Sequence, residues 1–441
     1  MNRIKLSLAI SIVSISLLWW MSDPLFWQSS DTRLLQMSLL NYSGVLAIGL
    51  IALSLITASR YQKVDQYYGG LDKSYRLHKW LGISALVASV VHWSLYKLPQ
   101  WTLGWTEYGP ISIENNENFL IFFFQSQHGA ALEVGDVVFK LFVIFVALAL
   151  VKIFPYHLFY KTHRRLSIIY LLLVFHSVVL LDFSYWDEII APVIVLLMAL
   201  AIPTAFISFF RRIGNNRKVS GLIEELNVLE ESNSLRVVVA FEQEWPGHKE
   251  GQFAFVTFDK KEGAHPFTIA SPWKNNGKIF FLIKELGDYT KKLKDTLRKG
   301  DSVVVEGPYG QFDFQGDKQR QIWIAAGIGI APFMARLKSL ASAEAENGHS
   351  VDLFYTFNEP DETLIEKLTG SAEKSGVNLH LIHPKTDGRL DFEGVRKQVP
   401  NWADADYWFC GPTSFGNSLK SDAVNNGVSA ENFHQELFDM R

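Results

Sequence analysis

The sequence predicts a six-span α-helical membrane bundle, followed by a small β-barrel and then a doubly wound α/β domain. Three observations predict it. Six apolar runs fill the N-terminal half, near 4–21, 38–58, 77–97, 137–154, 163–182 and 188–210, and about 20 apolar residues cross a hydrocarbon core. After Lys218 short β-rich runs take over, at the spacing of antiparallel strands. From Gln321 strand-like and helix-like segments alternate, as in an open parallel sheet. The expected domains are 1–213, 214–316 and 317–441.

Composition agrees with two unlike halves. The net charge of −3 and the 20% of charged residues are averages over an apolar half and a mixed, Gly- and Pro-punctuated half. An aromatic content of 14% suits membrane helices with Trp and Phe at their ends. Cys410 is the single cysteine, which excludes an internal disulfide and a four-thiolate iron–sulfur cluster. Any redox centre must be organic or held by other ligands. No nucleic-acid partner is expected.

The first run follows Arg3 and Lys5 as a signal peptide would. It lacks a small-residue cleavage site and runs into Trp19, Trp20 and Met21, so it reads as a retained span. Charge sets the orientation. Arg3, Lys5, Arg60, Lys63, Lys73, Arg76, Lys161, Arg164 and Arg165 fall at the N-terminus and after spans two and four. Arg211, Arg212, Arg217 and Lys218 follow span six, while the other three loops are acidic or mixed. Positive residues stay inside, so both termini and the soluble half are expected in the cytoplasm. The run Phe119–Phe124 in the long outer loop is too short to span and is expected to lie against the bundle or the bilayer surface.

Four histidines fall in the apolar runs: His78 and His92 on span three, His163 and His176 on span five. Ionisable residues at membrane depth are costly and mark function, and neutral imidazole is a common axial ligand of haem iron. At 1.5 Å per residue the separations along the two helices are about 21 and about 20 Å. Two helices with matching separations can clamp two haems, His78 with His163 on the cytoplasmic side and His92 with His176 on the outer side. At 100° per residue fourteen steps return to within about 40° of one face, but thirteen miss by about 140°. His163 is expected at the start of its helix, where geometry departs from ideal. The alternative is interhelical hydrogen bonding by histidines. His128 and His157 read as loop residues.

In the soluble half, strands are expected at Leu235–Phe241, Gln252–Phe258, Lys278–Ile283 and Ser302–Glu306. His265-Pro266-Phe267-Thr268-Ile269-Ala270-Ser271 lies among them. Gly287-Asp288-Tyr289-Thr290 then opens a helix, and a helix N-terminus is an anion seat for a pyrophosphate. Ile322–Ala326 reads as a strand followed by Gly327-Ile328-Gly329-Ile330-Ala331-Pro332 and a helix to about Ala341. Glycines there let backbone approach a dinucleotide, and proline suits a first helical turn. Val351–Phe357 and Tyr407–Cys410 read as further strands, the latter ending in Cys410-Gly411-Pro412.

In this order the motifs resemble the ferric reductase and NADPH oxidase superfamily of transmembrane flavocytochromes, over nearly the whole chain. The resemblance implies FAD, two b-type haems and NADPH, with NADH also accepted. It implies that His265, Pro266, Phe267, Thr268 and Ser271 hold the flavin, and that Gly287 and Thr290 hold its pyrophosphate. The nicotinamide nucleotide falls to Gly327, Gly329, Pro332, Cys410, Gly411 and Pro412. Phe438 is the near-terminal aromatic that covers the isoalloxazine ring, so Cys410 and Phe438 stand at the hydride-transfer position. Arg389, in Asp387-Gly388-Arg389-Leu390, resembles the arginine that meets the 2′-phosphate. There are departures. Some animal oxidases carry a further histidine one turn beyond the outer ligand of span three, where this chain has Tyr96. Plant-type reductases place an arginine after the second nucleotide-domain strand, where this chain has Phe357-Asn358-Glu359.

The implied function is electron transfer from cytoplasmic NAD(P)H through FAD and the haems to an outer acceptor: a ferric complex, oxygen or quinone. The alternatives are superoxide production from oxygen and electron supply to a periplasmic partner protein. A plasma or bacterial inner membrane is expected. A haem-free transporter or sensor is the rival from another class, against which the flavin-type half speaks. If Phe438 covers the flavin, it must move for hydride transfer. Phe438→Trp should then slow flavin reduction by NAD(P)H and Phe438→Ser should loosen the stack. Unchanged flavin fluorescence and reduction rate in both variants would remove this assignment.

Overall fold

The computed structural model describes every residue except 1, 24, 29, 106–118, 152, 343–347 and 437–441. The chain divides into two compact units, one mainly of Met1–Tyr68 and Lys73–Ile213, the other mainly of Gly214–Met440. Phe438 lies outside the described residues.

The first unit is helical. Its long helices are Asn2–Ser22, Thr32–Thr57, Leu71–Leu103, His128–Leu150, Tyr156–Leu180 and Ile190–Phe209. Five of them are long and apolar enough to cross a membrane. The exception is the fourth, His128–Leu150, which carries Glu133, Asp136 and Lys140. The expected run 137–154 therefore starts earlier and is less apolar than the sequence pattern suggests. The Phe-rich run forms a short helix, Phe119–Ser126.

Helix pairs four–five and two–six pack closely, and the first helix packs on the second. Ile15, Trp19, Ile48, Leu50, Val138, Tyr170 and Ile194 belong to the shared core. The third helix is set apart. Among the described residues its backbone runs closely alongside no other long helix. It buries a stripe of Leu77, Leu81, Ala85 and Ala88, at the i, i+4 and i+3 spacing of one helical face.

One end of this unit is tied by a buried carboxylate. Asp23 accepts from the hydroxyls of Ser38 (2.7 Å) and Tyr185 (2.7 Å), and Trp19 Nε1 donates to Tyr185 (3.1 Å). A buried charge is tolerable when its lone pairs are satisfied in this way.

The second unit holds two sheets. The first has six antiparallel strands: β1 (Lys218–Leu229), β2 (Ser234–Phe241), β3 (Phe253–Thr257), β4 (His265–Thr268), β5 (Lys278–Lys284) and β6 (Ser302–Tyr309), in the order β4-β3-β6-β1-β2-β5. Its edge strands approach each other through a bridge between Ile269 and Phe281. The second sheet is parallel: β7 (Arg320–Ala326), β8 (Ser350–Thr356), β9 (Asn378–Ile382), β10 (Ala405–Cys410) and β11 (Phe433–Gln435), in the order β11-β10-β7-β8-β9. A common core joins the sheets, with Val238 and Phe280 of the first sheet meeting Phe312, Trp323 and Trp408.

Candidate functional site

The third and fifth long helices present the four histidines as two pairs. The structure brings His78 to His163 and His92 to His176, with ring centroids 5.7 and 6.2 Å apart. The ring planes are nearly perpendicular, at 84° and 89°. No group of three or more His, Cys, Asp or Glu among the described residues could hold a metal ion. Two imidazoles alone leave a bare ion under-coordinated. The pairs suit iron in a macrocycle, which supplies its own equatorial ligands and needs only two axial ones. With metal–imidazole bonds of about 2 Å, ring centroids about 6 Å apart accommodate one metal between them.

Hydrogen bonds fix three of the rings. His92 Nδ1 donates to the Leu40 carbonyl (3.0 Å) and His176 Nδ1 to the Ala131 carbonyl (2.8 Å). His78 Nδ1 donates to the Ser54 carbonyl (2.9 Å), with the Ser54 hydroxyl also at 2.9 Å. A proton held at Nδ1 leaves the Nε2 lone pair for a metal. His163 differs: its Nδ1 is buried with no hydrogen-bond partner among the described residues, and its ring stacks on Phe159 at 5.1 Å. His163 lies two turns inside a helix that begins at Tyr156, not at its start, so helix-end geometry is not what brings it to His78.

A cavity of about 430 Å³ surrounds His92 and His176. Its largely apolar wall includes Val45, Phe139 and Phe142, and polar groups come from Tyr96, His128 and Asp136. His128 is no loop residue. It opens the fourth long helix and lines this cavity. His157 is likewise helical, in the first turn of the fifth. Two glycines make the space: a Cβ on Gly135 would overlap the His176 imidazole, and one on Gly44 would lie 3.0 Å from His92 Cε1. Sequence reasoning missed both, although a glycine inside an apolar helical run is a signal of close approach.

In the second unit, His265, Pro266, Phe267 and Thr268 form edge strand β4, paired to β3. The His265 ring stacks on Tyr289 at 4.4 Å and 20°. Burial lowers the His265 pKa from 6.5 to about 4, so this imidazole is neutral at physiological pH. Tyr289 belongs to the helix Asp288–Thr296, whose start is capped by Thr290: its Oγ1 accepts from Leu286 N (3.0 Å) and Gly287 N (3.1 Å). That cap holds the helix end, with its outward N–H groups, beside β4. The Ser271 hydroxyl is buried and accepts from Phe280 N (3.2 Å), tying the segment after β4 to β5.

The glycine-rich turn and the Cys-Gly-Pro segment meet because β7 and β10 are adjacent and in register, Ala325 opposite Cys410. Gly327–Ile330 is a 3₁₀ turn leading into the helix Ala331–Ala341, with Pro332 in its first turn. Only glycine fits at 329, since a Cβ there would overlap the Cys410 carbonyl. A Cβ on Gly411 would lie 2.8 Å from Ala326 Cβ, and Pro412 stands at the N-cap of the helix Thr413–Asn425. The Cys410 thiol is fully buried, which raises its pKa well above the usual value, and the nearby Glu436 raises it further.

Sequence reasoning also missed Glu436 and Lys284. Glu436 is buried where β11 delivers the chain to the carboxyl end of β10, its amide donating to Phe409. The Lys284 ammonium comes within 3.6 Å of where a Cβ on Gly327 would lie. Arg389 is exposed in the loop after β9. That loop adjoins the end of β8, where His383 Nε2 donates to the Asn358 carbonyl (3.0 Å). Glu359, just beyond β8, is paired with Lys385 (2.8 Å), and Asp387 in the loop itself accepts from His383 N (2.8 Å).

Comparison with known proteins finds two families. The one described as ferric reductase like transmembrane component matches residues 43–174, and an FAD-binding domain matches residues 220–313. The chain is 27% identical over 177 residues to the flavohemoprotein of Bacillus subtilis, covering 37% of this chain and 44% of that protein. It is 25% identical over 197 residues to the toluate 1,2-dioxygenase electron transfer component of Pseudomonas putida, covering 43% and 58%. The matches thus span about half the length of these relatives. Among solved structures, the FAD/NAD binding domain of a Vibrio cholerae nitric oxide dioxygenase aligns with a TM-score of 0.43 at 19% identity, covering 49% of this chain and 97% of that one.

The glycine cradle yields a test on the purified protein. Gly135→Ala should push the His176 ring off its acceptor carbonyl and lower the visible absorbance of the purified protein beyond that of its flavin, while FAD content stays at the wild-type level. Wild-type absorbance in that variant would show that the cradle does not position His176.

Proposed function

We propose that this chain, which belongs to the ferric reductase and NADPH oxidase type of flavocytochrome by its transmembrane component and its FAD-binding domain, carries electrons from cytoplasmic NAD(P)H across a membrane to an outer acceptor. The observation that carries this reading is the pair of perpendicular imidazole clamps on the third and fifth helices. In this reading His128–Leu150 is also a span, which makes six, and the bridge between Ile269 and Phe281 closes the first sheet into a barrel. The domains are 1–213, 214–316 and 317–441, with both termini in the cytoplasm.

FAD, when bound, would supply conversion of a two-electron hydride from the nicotinamide into single electrons, and two b-type haems would supply one-electron transfer. The residues of this chain would bind and orient these groups. His78 with His163, and His92 with His176, would hold the two haems. The apolar wall around His92 and His176 excludes water and influences the potential. His265, Pro266, Phe267, Thr268 and Ser271 would hold the flavin, and Gly287 and Thr290 at the capped helix would hold its pyrophosphate. Gly327, Gly329, Pro332, Gly411 and Pro412 would hold the nicotinamide nucleotide. Cys410 would stand at the hydride-transfer position, and the role proposed for Phe438 is to cover the flavin. No side chain needs to act as acid or base for electron hops; positioning is the protein's task.

The acceptor in this reading is a small molecule on the outer side, such as a ferric complex. Oxygen, quinone or a partner protein are the other recipients of the same electrons. Anaerobic NADPH should bleach the flavin and then raise reduced-haem absorbance in the full chain. His92→Ala and His176→Ala should each remove about half of that haem signal and leave FAD bound. A chain that binds FAD but shows no haem band, or variants with wild-type haem content, would refute the reading.

Nicotinamide choice follows from the loop after β9. A 2′-phosphate carries about two negative charges and is held best by charge-assisted hydrogen bonds. Arg389 is exposed there, while Lys385 already neutralises Glu359. NADPH is therefore preferred and NADH accepted. Arg389→Ala should raise KM for NADPH about tenfold, roughly 1.4 kcal/mol, with NADH nearly unchanged. An equal fall with both cofactors would show that Arg389 does not read the phosphate.

A further inference from the structure

The two histidine pairs are alike in spacing and angle but not in what lies behind the rings. Both members of the His92–His176 pair donate Nδ1–H to a backbone carbonyl, of Leu40 and Ala131. In the other pair His78 donates to Ser54, whereas His163 Nδ1 is buried with no partner among the described residues. The face of the His163 ring is covered instead by Phe159, at 5.1 Å and 22°. An aromatic face offers no carbonyl lone pair to Nδ1–H.

A hydrogen bond from Nδ1 to a carbonyl shifts electron density toward Nε2 and makes the imidazole a better donor to iron. That added donation stabilises the ferric state, which carries one more positive charge, more than the ferrous state. A ligand lacking the acceptor therefore favours the ferrous state relative to its partners. We infer that the haem clamped by His78 and His163 has the higher midpoint potential, and that the missing acceptor at His163 is the cause. The inference rests on the reading of these pairs as haem ligands. Its consequence is that, with one electron shared between the two haems at equilibrium, the electron resides mainly on the His78–His163 haem.

The size follows from the same physics. Outer-sphere partners of a metal-bound histidine change affinity or activity about 10–100-fold. Taking the lower end as a preference expressed in one oxidation state gives a tenfold ratio, about 59 mV for a one-electron couple. His163 acts here as a ligand, so the discriminating variant changes its surroundings and leaves the imidazole in place.

The test is a potentiometric titration of the full chain in lipid nanodiscs, followed by haem absorbance. Wild type should resolve into two one-electron components about tenfold apart. His92→Ala should retain the component of higher potential and His78→Ala the lower one. Phe159→Gln, which puts an amide carbonyl beside Nδ1, should lower the upper component toward the other and leave the lower component in place. A single component in wild type, or retention of the lower component by His92→Ala, would overturn the inference. If either ligand variant fails to assemble, an upper component that does not move in Phe159→Gln overturns it. A wild-type chain with no haem would instead overturn the haem reading beneath it, and the two failures are thereby distinguishable.

Discussion

The structure of the membrane unit depends on one constraint: an imidazole inside a bilayer must be paid for by a partner on each nitrogen. Three rings meet that demand with backbone carbonyls at Nδ1, which leaves Nε2 directed to another use. A carbonyl inside a helix is already bonded to its own helix, so each Nδ1 contact is an additional bond on that oxygen; the Leu40 and Ser54 carbonyls also accept from Ser43 and Thr57 hydroxyls. The helices must approach closely enough to make it. Glycine at 44 and 135 supplies that approach, since any side chain there would crowd His92 or His176. The third helix, whose backbone runs closely alongside no other long helix among the described residues, meets the bundle through these rings and through Leu77, Leu81 and Ala85.

The second unit works by strand adjacency. Placing β10 beside β7 brings two segments separated by some eighty residues of sequence into contact at one sheet edge, where ligands of open parallel sheets bind. The Gly329 position and the Cys410 carbonyl touch, so neither segment can be altered without the other. β11 then runs alongside β10 and brings Glu436 to the same place, buried beside Cys410. The flavin motif sits in the other sheet, and the shared core fixes the two sheets to each other.

How much of this was legible in the sequence depends on what carries each feature. Apolar runs located the long helices but misjudged their ends. The third runs over Leu71–Leu103 rather than 77–97, because Asp72, Lys73, Arg76 and Lys97 lower hydropathy without breaking a helix. Strand β1 was not legible: its second half carries Glu224, Glu225 and Asn227, and a register shift between Ile223 and Glu225 breaks the alternation. β4 was hidden inside a motif, and Pro266 argued against a strand; as an edge strand it tolerates proline. The histidine pairs were readable because side chains carry them. Their carbonyl partners were not, because Leu40, Ser54 and Ala131 act through a backbone that every residue has. The same limit hid the unpartnered nitrogen of His163.

The central claim is that each pair of imidazoles grips one iron with its ring planes crossed. Electron paramagnetic resonance of the oxidised full chain tests this most directly. Near-perpendicular axial imidazoles, here at 84° and 89°, give ferric haem a strongly anisotropic low-spin signal. The account predicts two such signals, one of which disappears in a variant lacking either member of its pair. A high-spin haem signal, a low-spin signal of the kind given by parallel rings, or no haem signal in a chain that retains FAD would contradict it.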